Sequence, residues 1–275
     1  PVSSSAHIRI IGDLMLGSDP GAAFTAIIQI GTELAVILYF RHDIIRILGA
    51  WFGSLFGKEG KDFKSRMGAH NPDTQMGWFI ILGTMPILIA GLLFKHAIEG
   101  SLRNLWITVT VLALFGVLLW VVDARSKQVK TMKEMTWKDA LIFGIGQMLA
   151  LIPGVSRSGG TITFGRAMGY PREAAVRVSF LMAIPAVFGA GILEAVSAVK
   201  DVAAGDAGMF PGWGPTIAAA IVAFVVGYVV IIGFLKFVST FSYKAFAIYR
   251  IGLAIVVALL LITGVLSPLE AAAAA

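Results

Sequence analysis

The chain has 275 residues, 57% of them hydrophobic and only 14% charged, with a formal net charge of +6 and no cysteine, and its mean hydropathy is +0.85. Soluble domains carry about one quarter charged residues, so the composition excludes a water-soluble globular enzyme and implies an integral membrane protein. The missing cysteines exclude disulfides, zinc–thiolate sites and thiol nucleophiles. The positive charge lies between apolar segments rather than along one face, which argues for the lipid bilayer and against nucleic acid as a partner.

In chain order, the first element is "PVSSSAHIRIIGDLMLG" (residues 1 to 17), where three hydroxyls and a histidine interrupt an otherwise apolar composition. Its stretch from 4 to 17 is too short and too polar to cross a bilayer. Apolar runs of about 20 residues, the length a bilayer core requires, follow at 22 to 40, 77 to 94, 105 to 122, 174 to 195, 215 to 236 and 246 to 266. The segment from 41 to 60 reads as an amphipathic helix lying on the inner surface. The stretch from 140 to 169 begins apolar, breaks at "PGVSRSGG" and resumes as "TITFGRAMG". Such breaks are tolerated at membrane depth only where protein or a water-filled cavity satisfies the backbone, so both 4 to 17 and 140 to 169 read as re-entrant helices. Pro86 and Pro185 read as kinks. The terminal "LEAAAAA" (269 to 275) reads as a tag or linker remnant, and a start inside a motif implies residues upstream of Pro1.

The connections 41 to 76, 123 to 139 and 237 to 245 hold twelve lysines and arginines, against three in the connections 95 to 104 and 196 to 214. The first set is therefore cytoplasmic, and alternation places both chain ends outside. The segments Pro1–Gly17 and Pro153–Gly169 have equal length, Ser4 aligns with Ser156, and each is followed by three spans. Three is odd, so the second copy is inverted. The expected fold is a single all-α integral membrane domain (1 to 268) of six spanning helices plus re-entrant helix pairs, arranged as two inverted-topology repeats, 1 to 122 and 140 to 268. Inverted repeats with broken helices place a site near the midplane, where half-helix N-termini meet.

Proline followed by serine starts a helix with free N–H groups at its positive dipole end, an anion site. Arg157 adds a permanently charged fork suited to bidentate phosphate binding. An arginine at that depth implies a partner, and substrate phosphate is one. Ser4 and His7, three apart, share a helical face, which suits a nucleophile with its base or a histidine protonating a leaving oxygen; a purely structural hydrogen bond for His7 is the alternative. Glu33, an intramembrane carboxylate on a face with Thr25, Gln29 and Thr32, is a cation ligand, a proton relay or an interhelical contact. Arg166 and Arg177 read as cations snorkelling to the cytoplasmic surface.

"PVSSSAH" together with "GIGQMLALIPGVSRSGGT" resembles the two signatures of the undecaprenyl-diphosphate phosphatase family, the bacitracin-resistance proteins of bacterial inner membranes. The resemblance continues through "FTAIIQIGTELAVI", "GTMPILIAGLLF" and "FAIYRIGLA" and so covers nearly the whole chain. It implies a membrane phosphatase that converts undecaprenyl diphosphate to the monophosphate carrier lipid for peptidoglycan and related polymers, built as an inverted-repeat bundle with re-entrant pairs. By resemblance Ser4, His7 and Arg157 are the catalytic residues, Ser3, Ser5, Ser156, Ser158 and Thr161 bind the phosphates, and a divalent cation, Mg2+ or Ca2+, is the cofactor. The family's metal carboxylates, of pattern E/Q-x-x-x-E, stand before its "PVSS"; they have no counterpart after Pro1, apart from Glu33 as a candidate. Ala6 stands where the family commonly has glycine. Gln147, six residues before Pro153, implies an acidic or amide counterpart six before Pro1. The partners implied are a polyprenyl diphosphate lipid and the bilayer, and a homodimer is compatible with the sequence.

Two chemistries fit these residues: Ser4 attacks phosphorus in line with His7 handling protons, or water attacks directly while Ser4 binds phosphate. A transporter of the lipid monophosphate would use the same inverted-repeat anion site. The histidine-dependent membrane phosphatases, whose "PSGH" resembles "SSSAH", require a histidine where this chain has Thr163 and are set aside. Neither G-x-x-x-x-G-K-[ST] nor H-E-x-x-H occurs.

Overall fold

The computed structural model of the chain describes residues 1–17, 21–203 and 211–268, which are helical without any strand. The helices are α1 (Ser4–Leu16), α2 (Gly21–Leu55), α3 (Phe63–Arg66), α4 (Pro72–Leu93), α5 (Lys95–Glu99), α6 (Leu105–Arg125), α7 (Trp137–Met148), α8 (Arg157–Ala167), α9 (Arg172–Ala203), α10 (Trp213–Thr240) and α11 (Lys244–Ile262). Among the described residues six segments are long and apolar enough to cross a membrane: Ala23–Leu55, Pro72–Leu93, Leu105–Arg125, Arg172–Lys200, Trp213–Thr240 and Lys244–Ile262. The protein is a multi-pass, all-α membrane protein. The two proline-led segments supply α1 and the α7–break–α8 hairpin, and each is followed by three spans, the order that inverted repeats would have.

Helix starts follow local chemistry. Asn71 caps α4 by accepting from the N–H groups of Asp73 and Thr74, with Pro72 at the first helical position where its missing N–H costs nothing. Asn104 caps α6 through the Trp106 N–H. Thr136 opens α7 with a reciprocal pair: its hydroxyl accepts from the Asp139 N–H while Asp139 accepts from the Thr136 N–H.

One expectation fails at α2. Residues 41 to 55 do not lie as a separate surface helix but continue the first span as one 35-residue helix. At 1.5 Å per residue it runs for about 52 Å, well beyond a hydrocarbon core of about 30 Å, so its polar end projects past the bilayer. Ion pairs hold the projection: Asp43 with Arg46 at 3.3 Å and with Arg177 of α9, and Arg46 with Asp73 of α4 at 2.8 Å. Pro86 and Pro185 lie inside α4 and α9 without ending them. The tag reading of 269 to 275 falls outside the described residues.

The principal packing pairs are α2 with α9 and α10, α4 with α7, α6 with α11, and α7 with α8. α10 is peripheral and offers a stripe of exposed valines and isoleucines, among them Ile221, Val225 and Val229, to lipid. The re-entrant hairpin is the reverse. Its Phe143 and Ile162 are fully buried in a cluster with Leu119, Tyr170, Ala175 and Met182. The two arms touch backbone to backbone: a Cβ at Gly160 would stand 2.4 Å from the Gly146 carbonyl oxygen. Only glycine permits that approach.

At the inner end of the hairpin, Asp123 of α6 binds three elements. Arg166 of α8 donates through Nε at 2.8 Å, Arg172 of α9 donates through Nε at 2.9 Å and Nη2 at 3.1 Å, and the Tyr243 N–H before α11 donates at 3.1 Å. Arg166 is fully buried and also donates to the Tyr170 carbonyl at 2.7 Å. The snorkelling expected of Arg166 is therefore wrong, because a carboxylate 43 residues earlier supplies the counter-charge inside the protein. Arg177 is partly exposed and paired with Asp43.

Candidate active site

The two proline-led loops share an uncommon backbone. Ser3, the cap of α1, has φ 71° and Ser156, the cap of α8, has φ 70°. A non-glycine residue in that region costs on the order of 1–3 kcal/mol and persists only where its surroundings over-determine it. The helix-start equivalence is thus Ser3 with Ser156, one residue off the alignment by distance from proline, because the first loop reaches its cap one residue sooner. Ser4 and Arg157 then occupy matching first helical positions.

What brings the loops together is Arg250 of α11, a fully buried side chain. Its Nη2 donates to the Gly154 carbonyl at 2.7 Å, its Nη1 to the Pro1 carbonyl at 3.3 Å, and its Nε to the Leu112 carbonyl at 3.3 Å. One guanidinium therefore spans both loops and α6. Gly154 has φ 107°, and a Cβ there would stand 2.5 Å from the Thr108 carbonyl oxygen, so the loop must be glycine at that step. The neighbouring Tyr249 holds His7: its hydroxyl lies 2.6 Å from His7 Nε2, with the rings stacked at 5.6 Å. His7 Nδ1 lies 2.7 Å from the Ser3 carbonyl. A carbonyl only accepts, so Nδ1 carries a proton, and in that tautomer Nε2 accepts from the Tyr249 hydroxyl.

Ser4 is exposed, while Ser3 is buried. Neither Ser4 nor Arg157 is hydrogen-bonded to His7, so the Ser4–His7 pairing expected from their spacing is not made in this state. Ser3 and Ser5 share a hydroxyl–hydroxyl contact at 3.3 Å. The α1 start has no side-chain cap, which leaves its first-turn N–H groups free. In α8 the Ser156 hydroxyl accepts from the Gly159 N–H at 3.2 Å and keeps its own proton to donate. Thr161 is fully buried and its hydroxyl donates to the Arg157 carbonyl at 2.7 Å, so it faces its own helix rather than a ligand. Ser158 stands on the first turn of α8, partly exposed.

Arg157 has a protein partner. Its Nη2 donates to Glu33 Oε2 of α2 at 2.9 Å, with the Glu33 side chain fully buried. The second nitrogen, Nη1, is buried and unpaired, and so is Glu33 Oε1. Gln147 of α7 is fully buried with both amide atoms unpaired. Buried polar groups are nearly always hydrogen-bonded, and four unpaired atoms on three helices around the break are free to bond a polar ligand. Among the described residues no three His, Cys, Asp or Glu side chains converge as a metal site. Glu33 offers one free oxygen beside a guanidinium that repels cations, so these residues do not fit a divalent cation.

Sequence reasoning found Ser4, His7, Arg157 and Glu33 separately but not the Arg157–Glu33 pair, nor Tyr249 and Arg250. The signal for Arg250 was present: an arginine inside the apolar run "FAIYRIGLA" is a functional candidate by its depth alone.

The family described as bacitracin resistance protein BacA matches residues 1–256. A protein of Bifidobacterium adolescentis named undecaprenyl-diphosphatase is 92% identical over 275 residues, covering all of this chain and 94% of its own length. One of Bifidobacterium animalis subsp. lactis with the same name is 77% identical over 98% of this chain and 91% of its own length. One of Pseudarthrobacter chlorophenolicus, again of that name, is 52% identical over 97% of this chain and 93% of its own length.

Proposed function

From the premise that the chain belongs to the BacA bacitracin resistance family, we propose that it is an undecaprenyl-diphosphatase: a membrane phosphatase that hydrolyses undecaprenyl diphosphate to undecaprenyl phosphate and inorganic phosphate. The observation that carries this reading is the 92% identity, end to end, with a relative of that name. The geometry supports it, since two helix starts tied by Arg250 and a half-occupied arginine fork make a place for phosphate rather than for a neutral lipid.

In the proposed site the terminal phosphate lies between the starts of α1 and α8. Free first-turn N–H groups of α1, Ser3, Ser5, the Ser156 and Ser158 hydroxyls and Arg157 Nη1 donate to its oxygens, in a setting of low dielectric where fixed donors stabilise developing charge. Ser4 Oγ attacks phosphorus in line. The bond to the bridging oxygen breaks, undecaprenyl phosphate leaves with that electron pair, and the Ser4 proton passes to His7 Nε2 as the Tyr249 hydroxyl turns aside. His7 passes that proton to the departing undecaprenyl phosphate; water then attacks the phosphoserine and gives a proton to His7, the bond from phosphorus to Ser4 Oγ breaks, and Oγ takes that proton back as inorganic phosphate leaves. Thr161 supports Arg157 from behind by its bond to the Arg157 carbonyl.

A divalent cation, Mg2+ or Ca2+, belongs to the proposal as a source of charge neutralisation, with ligands other than the described residues, and no step above passes through it. Membership of the bacitracin-resistance family supports the bacterial cytoplasmic membrane as location, and the charge asymmetry of the connections supports both chain ends outside. Detergent-solubilised protein incubated with undecaprenyl diphosphate is expected to release inorganic phosphate. Transport requires two compartments and hydrolysis does not, so folded protein that binds the lipid and releases none would overturn the reading. Recovery of phosphoserine at Ser4 after acid quench supports the covalent route, and full activity of Ser4→Ala would end it.

A further inference from the structure

Glu33 is the buried charge that the reaction above does not use. It is a fully buried carboxylate in the first span, one oxygen bonded to Arg157 Nη2 at 2.9 Å and the other unpaired, while Arg157 Nη1 is also buried and unpaired. The pair is half-closed: a bidentate fork-to-carboxylate contact would satisfy all four atoms, yet only one bond is made. An arginine that closed on its carboxylate would be lost to phosphate, and one with no carboxylate would swing freely as an uncompensated charge. The single bond avoids both.

We infer that Glu33 is a positioning residue for the phosphatase site, holding the Arg157 fork by Nη2 so that Nη1 is presented to the phosphate, and that its negative charge weakens retention of the released phosphate. The inference rests on the phosphatase reading for its substrate. Its physical content is separable into a hydrogen bond and a charge. The bond survives in Glu33→Gln, whose amide oxygen still accepts from Nη2, but not in Glu33→Ala. The charge is absent from both. A carboxylate within a few ångströms of a phosphate in a partly buried site opposes its binding by about tenfold in affinity.

The test compares the parent, Glu33→Gln and Glu33→Ala in detergent, each first checked for a cooperative thermal transition. The readouts are kcat and KM on undecaprenyl diphosphate, inhibition by inorganic phosphate, and stabilisation against unfolding by inorganic pyrophosphate. Glu33→Gln is expected to keep kcat within about threefold while phosphate inhibits about tenfold more tightly. Glu33→Ala is expected to lose kcat by tenfold or more, so that the amide variant rescues the rate. If the two variants match each other in kcat, or if phosphate inhibits all three proteins equally, the inference is overturned while hydrolysis by the parent keeps the phosphatase reading. If the parent hydrolyses nothing yet pyrophosphate stabilises Glu33→Gln more than the parent, the phosphatase reading fails and the anion-holding account of Glu33 stands.

Discussion

His7 has both ring nitrogens committed in this state, one to the Ser3 carbonyl and one to the Tyr249 hydroxyl. The first bond fixes the tautomer, and the second holds the acceptor nitrogen at the protein until substrate arrives. Tyr249→Phe keeps the stacked ring and removes only the hydroxyl that must turn aside for the reaction, so it should raise kcat about three- to tenfold, the worth of one neutral hydrogen bond, while lowering the thermal midpoint. A rate equal to the parent's would show that the hydroxyl takes no part. At this scale the sequence exposed the reactive types and hid their partners. Arg157 demanded a counter-charge by its depth, and Glu33 demanded an explanation by its own. Their union spans 124 positions, which no local spacing reports. Ser4 and His7 err the other way: their spacing offers a contact, but the Ser3 carbonyl and a tyrosine 242 positions away take the imidazole first.

Among elements, the re-entrant hairpin is where packing serves chemistry most directly. Its arms meet at Gly146 and Gly160, so Gly160→Ala forces a Cβ against a carbonyl and should destabilise the protein by about 1–3 kcal/mol, read as a lower unfolding temperature. The start of α7 is fixed by Asp139, which accepts from Lys130 at 2.7 Å, from the Thr136 N–H and hydroxyl, and from Tyr170. Burial alone would raise this carboxyl, but the Lys130 and Thr136 hydrogen bonds outweigh it and hold it below the ordinary carboxylate value. A depressed carboxyl stabilises the fold fully above its unfolded pKa, about 3.9, and loses that contribution as pH falls through the folded value. The stability gap between the parent and Asp139→Asn should therefore be constant from pH 7 to about pH 5 and shrink below about pH 4. A gap independent of pH would contradict the assignment. The hairpin itself was legible, since "PGVSRSGG" breaks an apolar run with proline, glycine and hydroxyls. The surface helix expected at 41 to 60 was not, because nothing between Phe40 and Arg41 ends the first span; α2 continues through its arginines, which pair with Asp43 and Asp73 or turn back to the backbone.

For the molecule as a whole, two buried hubs hold the bundle in the shape the site requires. Asp123 gathers α6, α8, α9 and the start of α11 at one end of the re-entrant hairpin, and Arg250 gathers α6, α11 and both proline-led loops at the other. The Arg250 hub joins residues from both expected repeats, so neither half is expected to hold its loop alone. Asp123→Ala, which strands two arginines, should cost about 3–5 kcal/mol, and its thermal midpoint against the parent's checks this. Span number and positions were readable from apolar runs because a bilayer imposes their length. The hubs were not, because each consists of single polar residues scattered over more than a hundred positions and looks in sequence like an isolated charge.

The account stands most directly on phosphate release from undecaprenyl diphosphate by the purified protein and by Arg157→Ala in the same detergent, with divalent cation supplied. It predicts release by the parent and a loss of about a hundred- to a thousandfold in kcat/KM for the variant, the worth of one fixed donor to the transferring group. Equal release by both folded proteins would contradict it, and would place the chemistry away from the joined loops.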